Sequence, residues 1–209
     1  MRVALRTGGL DLRWEGSTIR KILAVVGSPR KGGNTDILVD HIIQGAEECE
    51  AEVEKIYLHD LNVAFCRGCH ECATVKPYQG CSLKDEMIPV HAAIDWCDAI
   101  VIGTPIHMFS PSAQTKLFLE RLYALVPSDE EGERHAIRGK RLAVALAYGG
   151  TDPFSSGAMN AYGIFRDVAS FFGMTFVGVV YGAAMQGGEI IENEAVLAEA
   201  VELGRRLCE

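Results

Sequence analysis

Short apolar segments alternate with amphipathic ones along most of this chain, and this alternation constrains the fold more than any other feature. Five apolar runs have the length of buried strands, at about 21–27, 53–58, 99–104, 141–148 and 174–181. Segments with helical periodicity follow them, at about 34–51, 82–96, 112–125, 156–172 and 194–207. Strands that alternate with helices favour a parallel sheet covered on both faces. We therefore predict an α/β three-layer sandwich with a five-stranded parallel sheet, and we take its strand order to be 2-1-3-4-5, a common doubly wound order.

Two of the predicted helices begin with recognisable signals. Asn34 stands where the first helix starts, and asparagine is a favoured N-cap. Ser82 and Asp85 form a Ser-x-x-Asp pattern, which is typical of a first helical turn. We therefore predict a helix from Ser82 to about Trp96.

Residues 21–209 contain no repeat, low-complexity tract or linker, so they predict one domain. In residues 1–20, two short apolar stretches flank Thr7-Gly8-Gly9, which is typical of a small hairpin or an arm for a partner subunit. A loosely ordered extension is the alternative. The sequence shows no signal-peptide core and no membrane-length apolar run, which predicts a cytoplasmic protein without a membrane partner. The net charge of −8 argues against a nucleic-acid partner.

A glycine-rich segment, Gly27-Ser-Pro-Arg-Lys-Gly-Gly-Asn-Thr35, joins the first predicted strand to the first helix. The N-terminus of a helix presents free backbone N–H groups and a partial positive charge, which together bind phosphate. We therefore predict a phosphate site at this loop, with contacts from Ser28, Arg30, Gly33, Asn34 and Thr35. The spacing matches neither a nucleotide P-loop nor the Gly-x-Gly-x-x-Gly dinucleotide motif. An ordinary turn is the alternative, because turns also favour Gly, Ser and Asn.

Two further loops are expected at the same edge of the sheet. Residues 104–114 follow the third predicted strand, and residues 148–150 end the fourth. In a sheet of this order, the loops after the first and third strands lie side by side, and ligands bind there. We expect residues 105–110 to form one wall of a ligand site and residues 148–150 to close the other side.

Four of the seven cysteines lie in the loop predicted at about 59–82, namely Cys66, Cys69, Cys72 and Cys81. A Cys-x-x-Cys-x-x-Cys run followed by a fourth cysteine has the spacing of thiolate ligands to an iron–sulfur cluster. Zinc also accepts four thiolates, but structural zinc sites commonly use two separated Cys-x-x-Cys pairs. A loop of free thiols without metal is the third interpretation.

The loops at 27–35 and 104–114, with Lys116, resemble those of NADPH-dependent FMN reductases and iron–sulfur flavoproteins, which have a flavodoxin-like fold. The cysteine run, Gly80-Cys81 and Lys84-Asp-Glu-Met87 are similar to the iron–sulfur flavoprotein branch. The likeness covers residues 21 to about 183. The sequence departs from that pattern in a longer gap before Cys81 and in the absence of a tyrosine near His107 or Met108.

This resemblance implies a homodimer or homotetramer with one FMN per subunit. It places the flavin ring and ribityl chain against Pro105, Ile106, His107, Met108, Phe109, Tyr148, Gly149 and Gly150. A [4Fe–4S] cluster held by the four loop cysteines would exchange electrons with FMN. The implied function is an FMN-dependent oxidoreductase that moves electrons from NAD(P)H or a small carrier to a quinone, flavin, oxygen species or redox protein. An FMN-binding electron carrier or regulator without a cluster is the alternative.

Overall fold

The computed structural model describes residues 20–75, 80–126 and 136–209, and a parallel sheet runs through the centre of this part of the chain. Its strands are β1 (Lys21–Val26), β2 (Glu52–Tyr57), β3 (Ala99–His107), β4 (Ser110–Pro111), β5 (Arg141–Tyr148) and β6 (Thr175–Ala183). Five of them pair in parallel in the order β2-β1-β3-β5-β6, which confirms the predicted order. The two-residue β4 pairs antiparallel with β3 and is, within the described residues, the one strand that the sequence analysis missed.

Helices cover both faces of this sheet. They are α1 (Asn34–Glu47), α2 (Glu71–Thr74), α3 (Met87–Trp96), α4 (Ala113–Arg121), α5 (Ala158–Phe172) and α6 (Glu194–Arg206). The buried side chains of α3, α4 and α5 share one core with alternate residues of β1, β3 and β5. Those of α1 and α6 share a second core with the other residues of the same strands. The central strands are therefore apolar on both faces, as a doubly covered parallel sheet requires.

The packing of α1 on α6 depends on two glycines. A Cβ atom at Gly45 would lie 1.9 Å from the carbonyl oxygen of Val201, and one at Gly204 would lie 2.0 Å from that of Ile42. No side chain fits at either position, so the two backbones approach closely. This contact fixes the C-terminal helix against the helix that follows the glycine-rich loop.

The structure corrects both predicted helix starts. Gly33, and not Asn34, is the N-cap of α1, because the Asn34 side chain bonds to a distant loop instead. The helix predicted from Ser82 begins at Met87, five residues later, so Ser82 does not cap it. Asp85 accepts the Met87 N–H at 3.1 Å. The Ser-x-x-Asp pattern thus marks the acceptor near the helix start but not the start itself.

Two sequence predictions concern residues outside or partly outside the described part of the chain. The hairpin or arm predicted for residues 1–20 lies outside it, apart from Arg20. The cysteine loop predicted at about 59–82 lies outside it at residues 76–79, while its four cysteines are all described. Within the part of the chain that the structure describes, no helix has the length and apolar character needed to cross a bilayer.

Candidate functional site

The carboxyl ends of β1 and β3 are joined directly at one edge of the sheet. The Gly27 N–H donates to the Gly103 oxygen at 2.7 Å, and the Ser112 hydroxyl donates to the Gly27 oxygen at 2.7 Å. Ser112 in turn caps α4 by accepting the Thr115 N–H. These bonds join the first and second predicted ligand loops into one unit, and burial of the bonded groups strengthens it.

Gly27 is required by this unit. A Cβ atom there would lie 1.8 Å from the Thr115 Oγ1 and 3.2 Å from the Gly103 oxygen. Thr115 is fully buried and its hydroxyl lies 3.0 Å from that of Ser112, so it has no free space to turn away. The glycine is therefore needed for packing, at a position where the sequence alone shows only a strand end.

The glycine-rich loop itself is closed by short-range hydrogen bonds. The buried Ser28 hydroxyl accepts the Arg30 N–H at 3.2 Å, and the Gly33 N–H donates to the Arg30 oxygen at 3.1 Å. A Cβ atom at Gly33 would lie 3.0 Å from Arg30. At the start of α1, the N–H groups of residues 34–36 have no carbonyl one turn earlier in the helix to bond to. A bare backbone at a helix start suits a phosphate group, so this structure fits the phosphate of FMN.

An acidic residue lies inside the first turn of α1 and is neutralised from β2. The buried Asp36 carboxylate accepts the Gly32 N–H at 2.7 Å and the Tyr57 hydroxyl at 3.2 Å, and it lies 2.6 Å from Lys55 Nζ. Burial alone would lower the pKa of Lys55, but its bonds to Asp36 and Asp40 outweigh burial and raise that pKa above its ordinary value. The Asp36 bond holds Gly32 in its left-handed conformation, with φ of +70°.

Asn34 connects the loop to a segment that the sequence analysis did not assign to the site. Its Nδ2 donates to the Gln186 oxygen at 2.7 Å, and its Oδ1 accepts the Ile190 N–H at 3.1 Å. Residues 184–190 follow β6, and the sequence analysis did not assign them to the site although they include the pair Gly187-Gly188.

The β3–β4 hairpin carries the second predicted set of ligand residues. Its turn consists of Met108 and Phe109, whose φ angles are +47° and +65°, a region that non-glycine residues rarely adopt. Both side chains are exposed, at 88% and 58%. The turn is held from α5, since Asn160 Nδ2 donates to the Phe109 oxygen at 3.4 Å. Strained backbone supported by its surroundings is common at binding sites.

The third predicted segment ends β5. Tyr148 is buried, and its ring lies 6.4 Å from that of Tyr181. Gly149 and Gly150 are exposed, and the Gly150 N–H donates to the Met185 Sδ at 3.3 Å. Met185 is 66% exposed and belongs to the same unrecognised 184–190 segment. The structure thus brings all three predicted loops to one sheet edge and adds a fourth.

The four loop cysteines line a cavity of about 650 Å³ between the cysteine loop, α4 and α5. Cys66 and Cys69 are exposed, while Cys72 and Cys81 are half-buried. Burial raises the pKa of the Cys72 thiol, and the nearby Cys81, Cys69 and Cys66 raise it further. Among the described residues, no three potential ligands are already arranged to hold a metal ion. The four thiol groups are soft donors and suit an iron–sulfur cluster, but the described residues do not yet hold them in a ligand arrangement.

A family model for NADPH-dependent FMN reductases matches residues 20–191. The chain belongs to the NADPH-dependent FMN reductase family. This member of the family is accordingly an FMN-dependent oxidoreductase, and the predicted family, enzyme class and flavin cofactor are confirmed.

Individual proteins that are similar to this FMN reductase family member agree with the family assignment. An iron–sulfur flavoprotein of Archaeoglobus fulgidus is 26% identical over 189 residues, which are 90% of this chain and 79% of that protein. YwqN of Bacillus subtilis, named as an NAD(P)H-dependent FMN-containing oxidoreductase, is 27% identical over 187 residues, covering 89% of this chain and 97% of YwqN. The structure of an NAD(P)H:quinone oxidoreductase from Methanothermobacter marburgensis superposes with a TM-score of 0.69 at 17% identity, covering 90% and 96% of the two chains. That superposition confirms the flavodoxin-like fold.

Proposed function

We propose that this chain binds FMN at the edge of the sheet where β1, β3 and β5 end, and there oxidises NAD(P)H. The observation that carries the proposal is the bonding of the glycine-rich loop to the β3 end through Gly27, Gly103 and Ser112. This unit places a helix N-terminus beside an exposed hairpin, so a phosphate and a flat ring can be bound by neighbouring segments. When bound, FMN supplies the hydride acceptance and one-electron relay.

In this proposal the phosphate is bound by backbone and side-chain donors of the loop. The N–H groups of residues 34–36 point out of the start of α1, and Ser28 and Thr35 add hydroxyl groups. Arg30 is exposed and supplies a positive charge. Asn34 contributes mainly by holding residues 186–190 against the loop, because both its Nδ2 and its Oδ1 bond there.

The ring and ribityl chain lie, in this proposal, between the hairpin of residues 105–109 and the turn of residues 148–150. The exposed Met108 and Phe109 offer apolar surface, and their strained turn is fixed before a ligand arrives. Met185 covers the two glycines from the other side, so it limits the access of water to the ring.

The phosphate assignment is tested with the double variant Asn34→Ala/Thr35→Ala. The variant removes the Thr35 hydroxyl, whose hydrogen bond to a charged acceptor would contribute roughly 1.5–3 kcal/mol, and it releases residues 186–190 from Asn34. The affinity for FMN should therefore fall at least about tenfold. Riboflavin lacks the phosphate, and its affinity should change less. Asn193→Ala removes an equivalent amide that caps α6 far along the chain and serves as the control. Equal losses for FMN and riboflavin would place the phosphate elsewhere.

We also propose that Cys66, Cys69, Cys72 and Cys81 hold a [4Fe–4S] cluster. Support comes from the shared cavity and from the name of the A. fulgidus relative. Anaerobically purified protein should contain about four iron and four sulfide per chain. Cys81→Ala should lower both, whereas Cys49→Ala, an exposed thiol outside the loop, should not. Zinc without sulfide, or no metal, would reject the cluster.

The electron donor and acceptor are tested by turnover. Rapid oxidation of NAD(P)H with a quinone or free flavin as acceptor supports a reductase. Reduction of bound FMN only by a small redox protein supports the alternative of an electron carrier. Light scattering of the FMN-loaded protein tests the predicted homodimer or homotetramer independently of the turnover result.

A further inference from the structure

Arg121, the last residue of α4, is a cation buried beneath the cysteine loop. Its side chain is only 1% exposed. Nη1 donates to the Ala64 oxygen at 2.7 Å and to Asp85 Oδ2 at 2.6 Å. Nη2 donates to Asp85 Oδ1 at 3.0 Å and to the Cys81 Sγ at 3.5 Å. The guanidinium therefore contacts the loop before its first cysteine and at its last one.

Asp85 completes the attachment from the opposite side. Its Oδ2 also accepts the Ala64 N–H at 2.9 Å, and its Oδ1 also accepts the Met87 N–H at 3.1 Å. The bond to Arg121, together with these backbone bonds, lowers the pKa of Asp85 to about 2. The carboxylate is thus charged in the neutral pH range, and the ion pair fastens both ends of the cysteine loop to the core.

The contact between Arg121 and Cys81 has a redox consequence if the sulfur ligates a cluster. A hydrogen bond to a ligand sulfur and a nearby positive charge both stabilise the more negative, reduced state. Arg121 provides the hydrogen bond, and because Asp85 offsets much of its charge, the bond to the sulfur is the larger contribution. The bonded part of the guanidinium is shielded from water, so this interaction is screened less than one at the surface. Lys116 also lines the cavity and is likewise paired, with Glu120, but it is exposed and its bond goes to that carboxylate and not to a sulfur.

We propose that Arg121 is a positioning residue that fastens the cysteine loop and, through its hydrogen bond to Cys81, raises the reduction potential of the cluster. This inference rests on the proposed cluster at the four cysteines. It assigns a role to a residue whose place on a helix gave no functional signal in the sequence.

The test compares three variants in anaerobically purified protein. Arg121→Met/Asp85→Asn removes both charges, so that no carboxylate is left without its partner, and the Asn oxygen can still accept one of the two backbone N–H groups that Asp85 binds. Arg121→Lys keeps the charge but loses the planar fork that reaches three groups. Lys116→Gln is the control, since it removes a cation from the same cavity without touching a sulfur. FMN content and circular dichroism monitor folding in each variant.

Iron content and the midpoint potential of the cluster are measured in each protein. The double variant should show a lower potential, by about tenfold in the reduction equilibrium, which is about 59 mV for one electron. Arg121→Lys should fall between it and the wild type, and Lys116→Gln should stay near the wild type. Where the double variant loses its iron, faster backbone hydrogen exchange at residues 61–67 in the iron-free protein would support the attachment role.

The outcomes separate this inference from the proposed cluster. No iron in the anaerobic wild type would reject the cluster, and the inference with it. A full iron content in all proteins with one common potential would overturn the inference alone. Loss of iron in the double variant with unchanged hydrogen exchange at residues 61–67 would also overturn it, because the loop would not depend on Arg121.

Discussion

The two candidate cofactor regions of this chain are built in different ways. At the glycine-rich loop, Ser28, Thr35 and Asp36 are buried, and each turn of backbone is held by a nearby bond. At the cysteine loop, the four-residue α2 is the only helix or strand among the described residues 61–75 and 80–86. Arg121 and Asp85 fasten the ends of this loop. One region is fixed before any ligand is present, whereas the other is only tethered.

The difference follows from the chemistry of the two groups. A phosphate is bound by backbone N–H groups, whose positions must be set by the fold beforehand. A cluster forms four bonds to thiolates, and such binding can itself supply the energy that orders the loop. We therefore expect substitutions at the FMN end to act through packing and those at the cysteine end to act through attachment.

The largest expected effect is a difference in unfolding free energy between substitutions of two glycines, one from each region. Gly27→Ala would place a methyl group 1.8 Å from the Thr115 Oγ1 and should cost about 3 kcal/mol of unfolding free energy, as overpacking does. Gly68→Ala meets no atom within 4 Å, so only its positive φ of +62° is penalised, at about 1 kcal/mol. Urea unfolding of the two variants measures both values. Equal losses would mean that the cysteine end is as tightly packed as the FMN end.

A second prediction separates charge from packing at the FMN end. Lys55→Met leaves the buried Asp36 carboxylate without its cation, next to the proposed phosphate site. Repulsion should weaken FMN binding about tenfold, or about 1.4 kcal/mol, and weaken riboflavin binding much less. Titration of apoprotein with each flavin gives the two affinities.

The double variant Lys55→Met/Asp36→Asn is the matched control for that prediction. The amide can still accept the Gly32 N–H and the Tyr57 hydroxyl, but it carries no charge. FMN affinity should recover most of its loss. A double variant as weak as Lys55→Met would show that Lys55 acts by contact with its neighbours and not by neutralising Asp36.

The sequence predicted a parallel sheet because each strand is an apolar run between helical segments, a pattern that local residues determine. The strand order came from the doubly wound, flavodoxin-like arrangement. It predicted the loops at 27–35, 105–109 and 148–150 because parallel strand ends share one edge. It missed Met185 and the Asn34 contacts, which join residues more than 150 positions apart. It also placed a helix start at Ser82, because the pattern could not show that Asp85 bonds a buried arginine.

The smallest expected effect is a pH dependence that only the cysteine end should show. His91 lies on α3 under the loop attachment, and its Nε2 lies 3.1 Å from the Arg121 oxygen. Burial lowers the pKa of His91; its bond to that oxygen opposes the shift, the Arg121 charge adds to it, and Asp95 and Asp85 oppose it weakly. The unfolded chain therefore binds more protons below about pH 6.5, so stability is complete above that pH and declines as pH falls.

Lys55, the charged group that holds the FMN end, has a raised pKa, so its contribution is complete below its unfolded value near 10.5 and constant between pH 5 and 8. The free energy of unfolding of the wild type should thus decrease from pH 7 to pH 5 through His91. In His91→Gln the amide can still donate to the Arg121 oxygen but does not titrate, so the slope should be shallower. Urea unfolding at several pH values, with Lys55→Met/Asp36→Asn measured in parallel, gives the slopes. A wild-type slope retained in His91→Gln would place the pH sensitivity outside the loop attachment.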